Sequence, residues 1–308
     1  MTRSDVVVVG AGSMGLLLAA ALADAGVPAA LVVRRPETVA ALRRGVAVTA
    51  AGGVKVVPVP ATADAADLPA PEFAVVAVKS YDLAAALPAV VPWAAAGTTV
   101  VTWQNGLDAP DMAAAAVGED RVLAAVTQQA ATRTQPAAVS HLGDGPTWVG
   151  CPLGGPDARA DQLASYLQAA GWEAAATADI ASALWGKAAV NAAINPLSAL
   201  LGWPNGRLGT SAPAQALMRE LAEEVGAVAA AHGHPLEDPA ARALAVAAAT
   251  RDNLSSMLQD VRAGRPTEIE AITGSILRRA AAVHRDVPAN RVVYQLIGAL
   301  TAAPTFCP

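Results

Sequence analysis

Residues Asp5–Ala25 read DVVVVGAGSMGLLLAAALADA, and this stretch decides the fold of the first half of the chain. A run of valines is followed by G-x-G-x-x-G at Gly10, Gly12 and Gly15, and then by an apolar helical segment over Leu16–Ala25. A strand, a glycine turn and a helix in this order form the dinucleotide-binding fingerprint. Gly10 permits the tight turn, Gly12 lets the backbone approach a diphosphate, and Gly15 lets helix and strand pack closely. We therefore predict a Rossmann-type unit that binds a diphosphate at a helix N-terminus.

The second predicted strand, Ala29–Val33, ends in two arginines, Arg34 and Arg35. An acidic residue at this place would hydrogen-bond the ribose 2′-hydroxyl of NAD, whereas an arginine suits a 2′-phosphate. The position favours Arg34 as the phosphate contact and NADP(H) as the cofactor. Arg35 is equally well explained as an exposed cation at the start of a helix.

Phe73–Val78 is a continuous apolar run, as is typical of parallel strands that are buried on both faces, and Thr98–Thr102, TTVVT, is a second buried-strand pattern. Lys79 follows the first run and Asn105 the second, so both lie at carboxyl ends of strands, where open α/β sheets bind ligands. Polar residues are common at strand ends, and each is ambiguous alone. Together with the glycine turn they indicate one ligand-binding edge. Further strands that extend or cover the sheet are predicted over Val122–Thr127, Ala138–Leu142 and Thr147–Val149.

From Asp179 onward the strand pattern disappears and helical periodicity takes over. Helices are predicted over Asp179–Leu201, Ala212–His232, Pro239–Ala263, Glu268–His284 and Ala289–Ala302. The predicted fold class is α/β, with an N-terminal Rossmann-type doubly wound domain over residues 1–178 and an all-α C-terminal domain over residues 179–308. This boundary would set Lys187 at the domain interface, where ligand clefts prefer to form.

The segment Leu184–Gly202 reads LWGKAAVNAAINPLSALLG and carries three polar residues four positions apart, Lys187, Asn191 and Asn195. On a helix they form one stripe, and Pro196 should kink or loosen the helix near Ala192. A lysine and two asparagines beside a kink could line a cleft. A solvated face of an amphipathic helix explains the same pattern.

Other polar residues of the second half have structural explanations when taken singly. Asn205 stands in a turn sequence, WPNG, and Asn253 and Ser256 lie in a polar patch of the predicted helix 239–263. Thr267 and Glu270 have the spacing of a capping box. Glu268 would then stand in the first helical turn, where the helix dipole favours a carboxylate.

Composition excludes several classes of protein. The chain has 308 residues, 54% of them hydrophobic, and a mean hydropathy of +0.39, but no uncharged apolar run reaches the roughly 18–20 residues of a membrane span. A net charge of −5 without a basic cluster argues against nucleic acid. The two cysteines, Cys151 and Cys307, predict no disulfide framework. We expect a cytoplasmic protein with no signal peptide and no metal site.

Taken together, the motifs resemble those of the ketopantoate reductase (2-dehydropantoate 2-reductase) family. They are GAGSMG at 10–15, VK at 78–79, QNG at 104–106, LWGKAAVNAAINPLSAL at 184–200, PNG at 204–206 and SSMLQDVRAGRPTEIEAI at 255–272. The order and approximate spacing match over nearly the whole chain. The resemblance implies reduction of 2-dehydropantoate to (R)-pantoate by NADPH, in pantothenate biosynthesis.

The resemblance also implies roles for individual residues. It makes Lys187 the general acid and Glu268 a second catalytic residue that contacts cofactor and substrate. The implied cofactor contacts are Gly10, Ala11, Gly12, Ser13, Met14, Gly15, Arg34, Lys79, Asn105, Ala130 and Glu268. The implied substrate contacts are Asn105, Asn191, Asn195, Asn205, Asn253 and Ser256.

The sequence departs from the family pattern at two places. Thr127-Gln128-Gln129-Ala130 replaces a more threonine-rich segment beside the nicotinamide, and Glu270 stands where the family usually has aspartate. The first departure keeps a reductase of another 2-oxo acid or of an imine open, and a non-catalytic NADP(H) sensor is a further alternative. The expected partner is a small-molecule 2-oxo acid, and a homodimer is left open.

Overall fold

The computed structural model of the protein describes residues 4–302. The chain forms two compact units, of which the first is Met1–Gln104 with Ala109–Ile180. The second unit is Asn105–Asp108 with Ala181–Pro308. The short loop Asn105–Asp108 thus belongs to the helical unit, although residues of the first unit precede and follow it in sequence.

An eight-stranded sheet forms the centre of the first unit. Its strands are β1 (Val6–Val9), β2 (Ala29–Val32), β5 (Ala61–Thr62), β6 (Phe73–Val76), β7 (Thr99–Thr102), β8 (Val122–Thr127), β11 (Thr147–Gly150) and β12 (Ala174–Ala176). Their order is β12-β11-β8-β7-β6-β1-β2-β5, and all neighbours are parallel except the pair β8 and β11. This confirms the predicted doubly wound α/β fold.

The central strand β1 is buried on both faces of the sheet. Val6 and Val8 belong to one hydrophobic core, and Val7 and Val9 belong to another. This alternation explains why β1 reads as an unbroken apolar run. The chain winds from β1 to β2 and β5 on one side and to β6, β7 and β8 on the other, so the direction of winding reverses between β1 and β6. Ligands of open α/β sheets bind at such a reversal.

A second sheet of four strands, in the order β4-β3-β10-β9, was largely missed by the sequence analysis. It contains β3 (Val46–Ala50), β4 (Gly53–Val57), β9 (Ala130–Gln135) and β10 (Ala138–Gly143). Only β10 was predicted, and it does not join the main sheet. Because β3 and β4 are mostly exposed, they lack the apolar runs that revealed the buried strands.

Helices complete the first unit. They are α1 (Ser13–Asp24), α2 (Pro36–Leu42), α3 (Leu83–Ala86), α4 (Val91–Ala95), α5 (Ala109–Val117) and α6 (Ala158–Ala169). The leucines of α1 pack against β1 and β2 in the first core, which fixes the start of this helix beside the end of β1.

The described part of the second unit contains helices and no strand. They are α7 (Ile180–Leu201), α8 (Asn205–Leu208), α9 (Ala212–Ala231), α10 (Pro239–Ala249), α11 (Ser256–Arg262), a π-helical turn (Glu270–Gly274), α12 (Ser275–Ala282) and α13 (Pro288–Ala302). The helix α7 continues past Pro196, so the proline does not end it. The predicted helix 239–263 is wrong, because a turn separates α10 from α11 and Ser255 caps the second helix.

Within residues 4–302, no helix has both the length and the apolarity that crossing a bilayer requires. The same residues hold no cluster of three side chains suited to binding a metal ion. Cys151 is buried and free, and Cys307 lies outside the described residues.

Candidate functional site

The turn after β1 contains three glycines, and a different structural reason accounts for each of them. Gly10 has φ +114°, and a Cβ there would lie 2.8 Å from Cγ1 of Val78. A Cβ on Gly15 would lie 1.9 Å from the carbonyl oxygen of Gly10. Gly12 has φ −74°, and the nearest atom to its added Cβ is 3.7 Å away. Neither strain nor packing requires glycine at Gly12, so its missing side chain leaves room for a ligand to approach the backbone.

The N-terminus of α1 fits a diphosphate. Gly12 is its N-cap residue, no side chain caps it, and its first turn contains no acidic residue. The Ser13 hydroxyl is engaged elsewhere, because it accepts a hydrogen bond from the backbone N–H of Arg133 at 2.9 Å. The unsatisfied N–H groups and the helix dipole therefore favour an anion at this turn.

The other predicted cofactor residues of the first unit stand on neighbouring strands. Arg34 follows β2 and is 70% exposed, with Nη1 3.3 Å from Oδ1 of Asp82. Lys79 follows β6 and is partly buried. Since β2 and β6 are the two neighbours of β1, the two cations follow the strands on either side of the glycine turn. Ala130 is the first residue of β9.

A second group of predicted residues is gathered in the helical unit around Lys187 on α7. Nδ2 of Asn105 donates a hydrogen bond of 3.1 Å to Oε2 of Glu268, and Nδ2 of Asn191 lies 3.5 Å from Oδ1 of Asn105. Glu268 is only 5% exposed, and Lys187 and Asn191 are partly buried. The alternative of a solvated amphipathic face is therefore wrong for this stripe.

Burial governs the charge of Lys187. Desolvation disfavours the ammonium form and lowers the pKa of Lys187 from 10.5 to about 8, while the negative charge of Glu268 acts in the opposite direction. At pH 7 the amine is still mostly protonated, but it releases its proton far more readily than an exposed lysine. Such a group suits proton transfer near neutral pH.

The residues that hold Asn105 in place were not predicted from the sequence. Oδ2 of Asp108 lies 2.7 Å from Nη2 of Arg278, and Oδ1 lies 3.0 Å from Nη1 of Arg279. Arg279 also donates to the carbonyl oxygen of Leu107 at 3.0 Å. Gly106 has φ +96°, and a Cβ there would lie 2.0 Å from the carbonyl oxygen of Ala271. The glycine lets the loop touch the π-helical turn that follows Glu268.

The predicted capping box is wrong. No side chain caps this helix start, and Glu270 instead accepts hydrogen bonds from the Tyr294 hydroxyl at 2.6 Å and from Arg278. The Tyr294 hydrogen bond is the main cause that lowers the pKa of Glu270. Glu270 thus joins Tyr294 on α13 to Arg278 on α12, the arginine that also binds Asp108.

Of the remaining predicted substrate residues, the structure brings Asn205 and Asn253 together. Nδ2 of Asn205 donates to Oγ1 of Thr250 at 2.9 Å, and its backbone N–H donates to the carbonyl oxygen of Asn253 at 3.0 Å. Its Oδ1 is buried without a partner. Asn253 lies in the turn before α11, not inside a helix, and Ser256 is the exposed first residue of α11. Asn195 is buried on α7.

Comparison with known proteins supports one family over both units. The model described as "Ketopantoate reductase PanE/ApbA" matches residues 6–154, and the model of its C-terminal part matches residues 179–301. The chain is 35% identical to the 2-dehydropantoate 2-reductase of Halobacterium salinarum, over 95% of this chain and 97% of that protein.

Solved structures agree in fold. A PanE/ApbA family ketopantoate reductase from Ralstonia eutropha is similar with a TM-score of 0.86 and 32% identity, covering 96% of this chain and 98% of that one. A D-mandelate dehydrogenase bound to NADH and anilino(oxo)acetate has a TM-score of 0.88, at 22% identity and 96% and 98% coverage. At that identity the similarity shows the shared fold alone.

The contrast between Gly12 and Gly15 predicts two different defects. Gly12→Ala should cost no more than about 1 kcal/mol of stability, since alanine is a poorer N-cap but finds room there, while dinucleotide binding weakens. Gly15→Ala should destabilise the fold by about 1–3 kcal/mol or more, because its Cβ meets a backbone oxygen. Thermal unfolding and dinucleotide titration measure both. Equal melting temperatures for the two variants would contradict the packing argument.

The ion pairs of Asp108 predict a measurable stabilisation. Asp108→Asn removes the charge at nearly constant size, and should lower the free energy of unfolding by about 1–2 kcal/mol because the carboxylate is only 25% exposed and meets two arginines. The control is Asp252→Asn. The Asp252 side chain is 91% exposed and that of its partner Arg251 is 77% exposed, so this substitution should change the free energy of unfolding little. Urea unfolding compares them, and equal losses would refute the specific role of Asp108.

Proposed function

Because the chain belongs to the ketopantoate reductase family, we propose that it reduces 2-dehydropantoate to (R)-pantoate with NADPH, a step of pantothenate biosynthesis. It is an NADP-dependent oxidoreductase in this account. The observation that carries the proposal is the partly buried Lys187 with its lowered pKa, in the same unit as the buried Glu268 carboxylate. A reductase of a ketone needs such a proton donor.

Lys187 acts on the oxygen of the ketone. NADPH held by the turn Gly10–Gly15 would supply the hydride for the ketone carbon, and the negative charge would develop on the ketone oxygen. The ammonium of Lys187 stabilises this charge and donates its proton to the oxygen. Desolvation strengthens the attraction, because the ammonium has lost part of its hydration, and it brings the pKa of Lys187 close to the working pH.

Glu268 keeps the donor charged. Its carboxylate raises the pKa of Lys187 against the effect of desolvation, and without it the amine would lose more of its proton at neutral pH. Asn105 orients this carboxylate through the hydrogen bond from Nδ2 to Oε2. In our proposal Asn105 and Glu268 also contact cofactor and substrate.

Polar residues of α7, of the start of α8 and of the segment that leads into α11 hold the substrate. Asn191, Asn195, Asn205, Asn253 and Ser256 offer amide and hydroxyl groups for a carboxylate and a hydroxyl. Oδ1 of Asn205 is buried without a hydrogen-bond partner, which is costly. In our proposal a substrate hydroxyl supplies the missing donor. Fixing the substrate in this way favours hydride transfer through orientation.

The first unit supplies the cofactor contacts. The turn Gly10–Gly15 with the N-terminus of α1 accepts the diphosphate, Arg34 binds the 2′-phosphate, and Lys79 and Ala130 are further contacts. An arginine at the end of β2 suits NADPH rather than NADH. A cytoplasmic location and a homodimer stay predictions, which fractionation and sedimentation can check.

Substrate choice separates this proposal from the reductase of another 2-oxo acid. NADPH oxidation should be followed with ketopantoate beside pyruvate, 2-oxoisovalerate and acetolactate. We expect ketopantoate to have the highest kcat/KM, by at least about tenfold. Pyruvate and 2-oxoisovalerate lack the hydroxyl that the polar groups of the site are proposed to bind, and acetolactate carries its ketone one carbon further from its carboxylate. A higher kcat/KM with one of the other acids would overturn the substrate, and no oxidation with any of them would favour the NADP(H) sensor.

Arg34 should decide the cofactor preference. The unaltered enzyme is expected to prefer NADPH, and Arg34→Ala should weaken NADPH binding by about ten- to a hundredfold while NADH binding changes little. A charge-assisted hydrogen bond to a phosphate is worth roughly 1.5–3 kcal/mol. Fluorescence titration with both cofactors measures the effect. Equal affinities of the unaltered enzyme for NADPH and NADH would contradict the assignment.

Lys187 should control both rate and pH dependence. Lys187→Ala should lower kcat by about 10²–10⁴-fold, the usual contribution of a positioned proton donor. In the unaltered enzyme, kcat/KM for reduction should be level at low pH and fall as pH rises through about 8, where the acid loses its proton. Lys187→Arg should rescue the rate only in part, because guanidinium yields its proton poorly.

The control for Lys187 is Lys55→Ala, which removes an exposed lysine from the first unit. This variant should keep both the rate and the pH profile. Circular dichroism must show that Lys187→Ala is folded. A folded Lys187→Ala enzyme with nearly normal kcat would refute the proposed mechanism.

A further inference from the structure

A strand outside the glycine fingerprint places an arginine on the glycine turn. The strand β9 packs against α1, and the backbone N–H of Arg133 on β9 donates to Oγ of Ser13 at 2.9 Å. The guanidinium of the same residue donates through Nη1 to the carbonyl oxygen of Ala11 at 3.1 Å. Two hydrogen bonds from one residue thus fasten Arg133 to both sides of Gly12.

The charge of Arg133 is not neutralised by the protein. Among residues 4–302 no carboxylate forms an ion pair with it, whereas Arg34 is already paired with Asp82. The bond to Ala11 uses one of five N–H donors of the guanidinium. An exposed arginine side chain is ordinarily mobile, and a hydrogen bond to the turn restricts it beside the uncapped N-terminus of α1.

We propose that Arg133 is a further cofactor-binding residue, which pairs with the diphosphate bound at the glycine turn. The inference rests on the proposed function, since it assumes a dinucleotide at this turn. A diphosphate carries two negative charges, and guanidinium donates parallel hydrogen bonds to phosphate oxygens. The role differs from that of Arg34, because NADPH and NADH share the diphosphate and only NADPH has the 2′-phosphate.

Variants of the two arginines should therefore differ in which ligands they weaken. Arg133→Met should weaken NADPH, NADH and 2′-phospho-ADP-ribose by a similar factor, about ten- to a hundredfold. It should leave 2′-AMP unchanged, because this fragment carries the 2′-phosphate without the diphosphate. Arg34→Ala should weaken 2′-AMP and NADPH and spare NADH. Arg133→Lys, which keeps the charge, should recover part of the lost affinity.

The experiment is calorimetric titration of these ligands into the unaltered protein and the variants, with thermal unfolding of each. The matched control is Arg121→Met. Arg121 also donates from Nη1 to a backbone carbonyl oxygen, that of Gly97 at 3.3 Å. It directly precedes β8 and so lies at the amino ends of the parallel strands, whereas the glycine turn lies at their carboxyl ends. This control should bind every ligand as the unaltered protein does.

Two results would overturn the inference. If Arg133→Met binds NADPH and 2′-phospho-ADP-ribose normally, Arg133 does not contact the diphosphate. If 2′-AMP weakens as much as NADPH and Arg133→Lys recovers nothing, Arg133 only fastens β9 to the turn. Failure of the unaltered protein to bind NADPH at all would instead refute the proposed function.

Discussion

The partial removal of the Lys187 ammonium from water is the constraint on which the candidate site of the helical unit depends. Desolvation lowers the pKa of Lys187 from 10.5 to about 8, although Glu268 opposes the change. A shift of this size corresponds to at most roughly 3 kcal/mol. Because the pKa is lower in the folded chain, the charged lysine destabilises the fold. This loss of stability is fully present below pH 8 and disappears as pH rises towards 10.5, above which the lysine is neutral in the folded and the unfolded chain. Proteins retain such a desolvation penalty mainly at functional sites, where the shifted pKa serves the chemistry.

The carboxylate that opposes this desolvation is positioned by contacts distant in sequence. Asn105 bonds Glu268, and the loop carrying Asn105 is joined to the helical unit by the ion pairs of Asp108 with Arg278 and Arg279. Gly106 permits this because any side chain there would collide with the π-helical turn. The four residues of the loop therefore complete a cluster that the helices alone do not contain. The first unit has its own two hydrophobic cores, one on each face of β1.

Sequence reasoning succeeded where a residue's local pattern and its tertiary role agree. Buried strands such as β1 and β6 are unbroken apolar runs, and the stripe of Lys187, Asn191 and Asn195 stands out on an apolar helix. It failed for the exposed hairpin of β3 and β4, whose alanines and valines have no strict alternation. Glu270 was predicted to belong to a helix capping box, but its carboxylate binds Tyr294 and Arg278, which are 24 and 8 residues away in sequence. No local pattern could reveal the bond between Asn105 and Glu268, which are 163 residues apart.

The central claim is that the fold itself lowers the pKa of Lys187, and direct titration of the lysine side chains tests it. The chain has three lysines, so NMR of protein labelled with ¹³C at lysine Cε gives few signals to assign. The signal that disappears in Lys187→Arg should titrate with a midpoint near pH 8 in the protein without cofactor or substrate. A midpoint for that signal at the ordinary lysine value of about 10.4 would contradict the account.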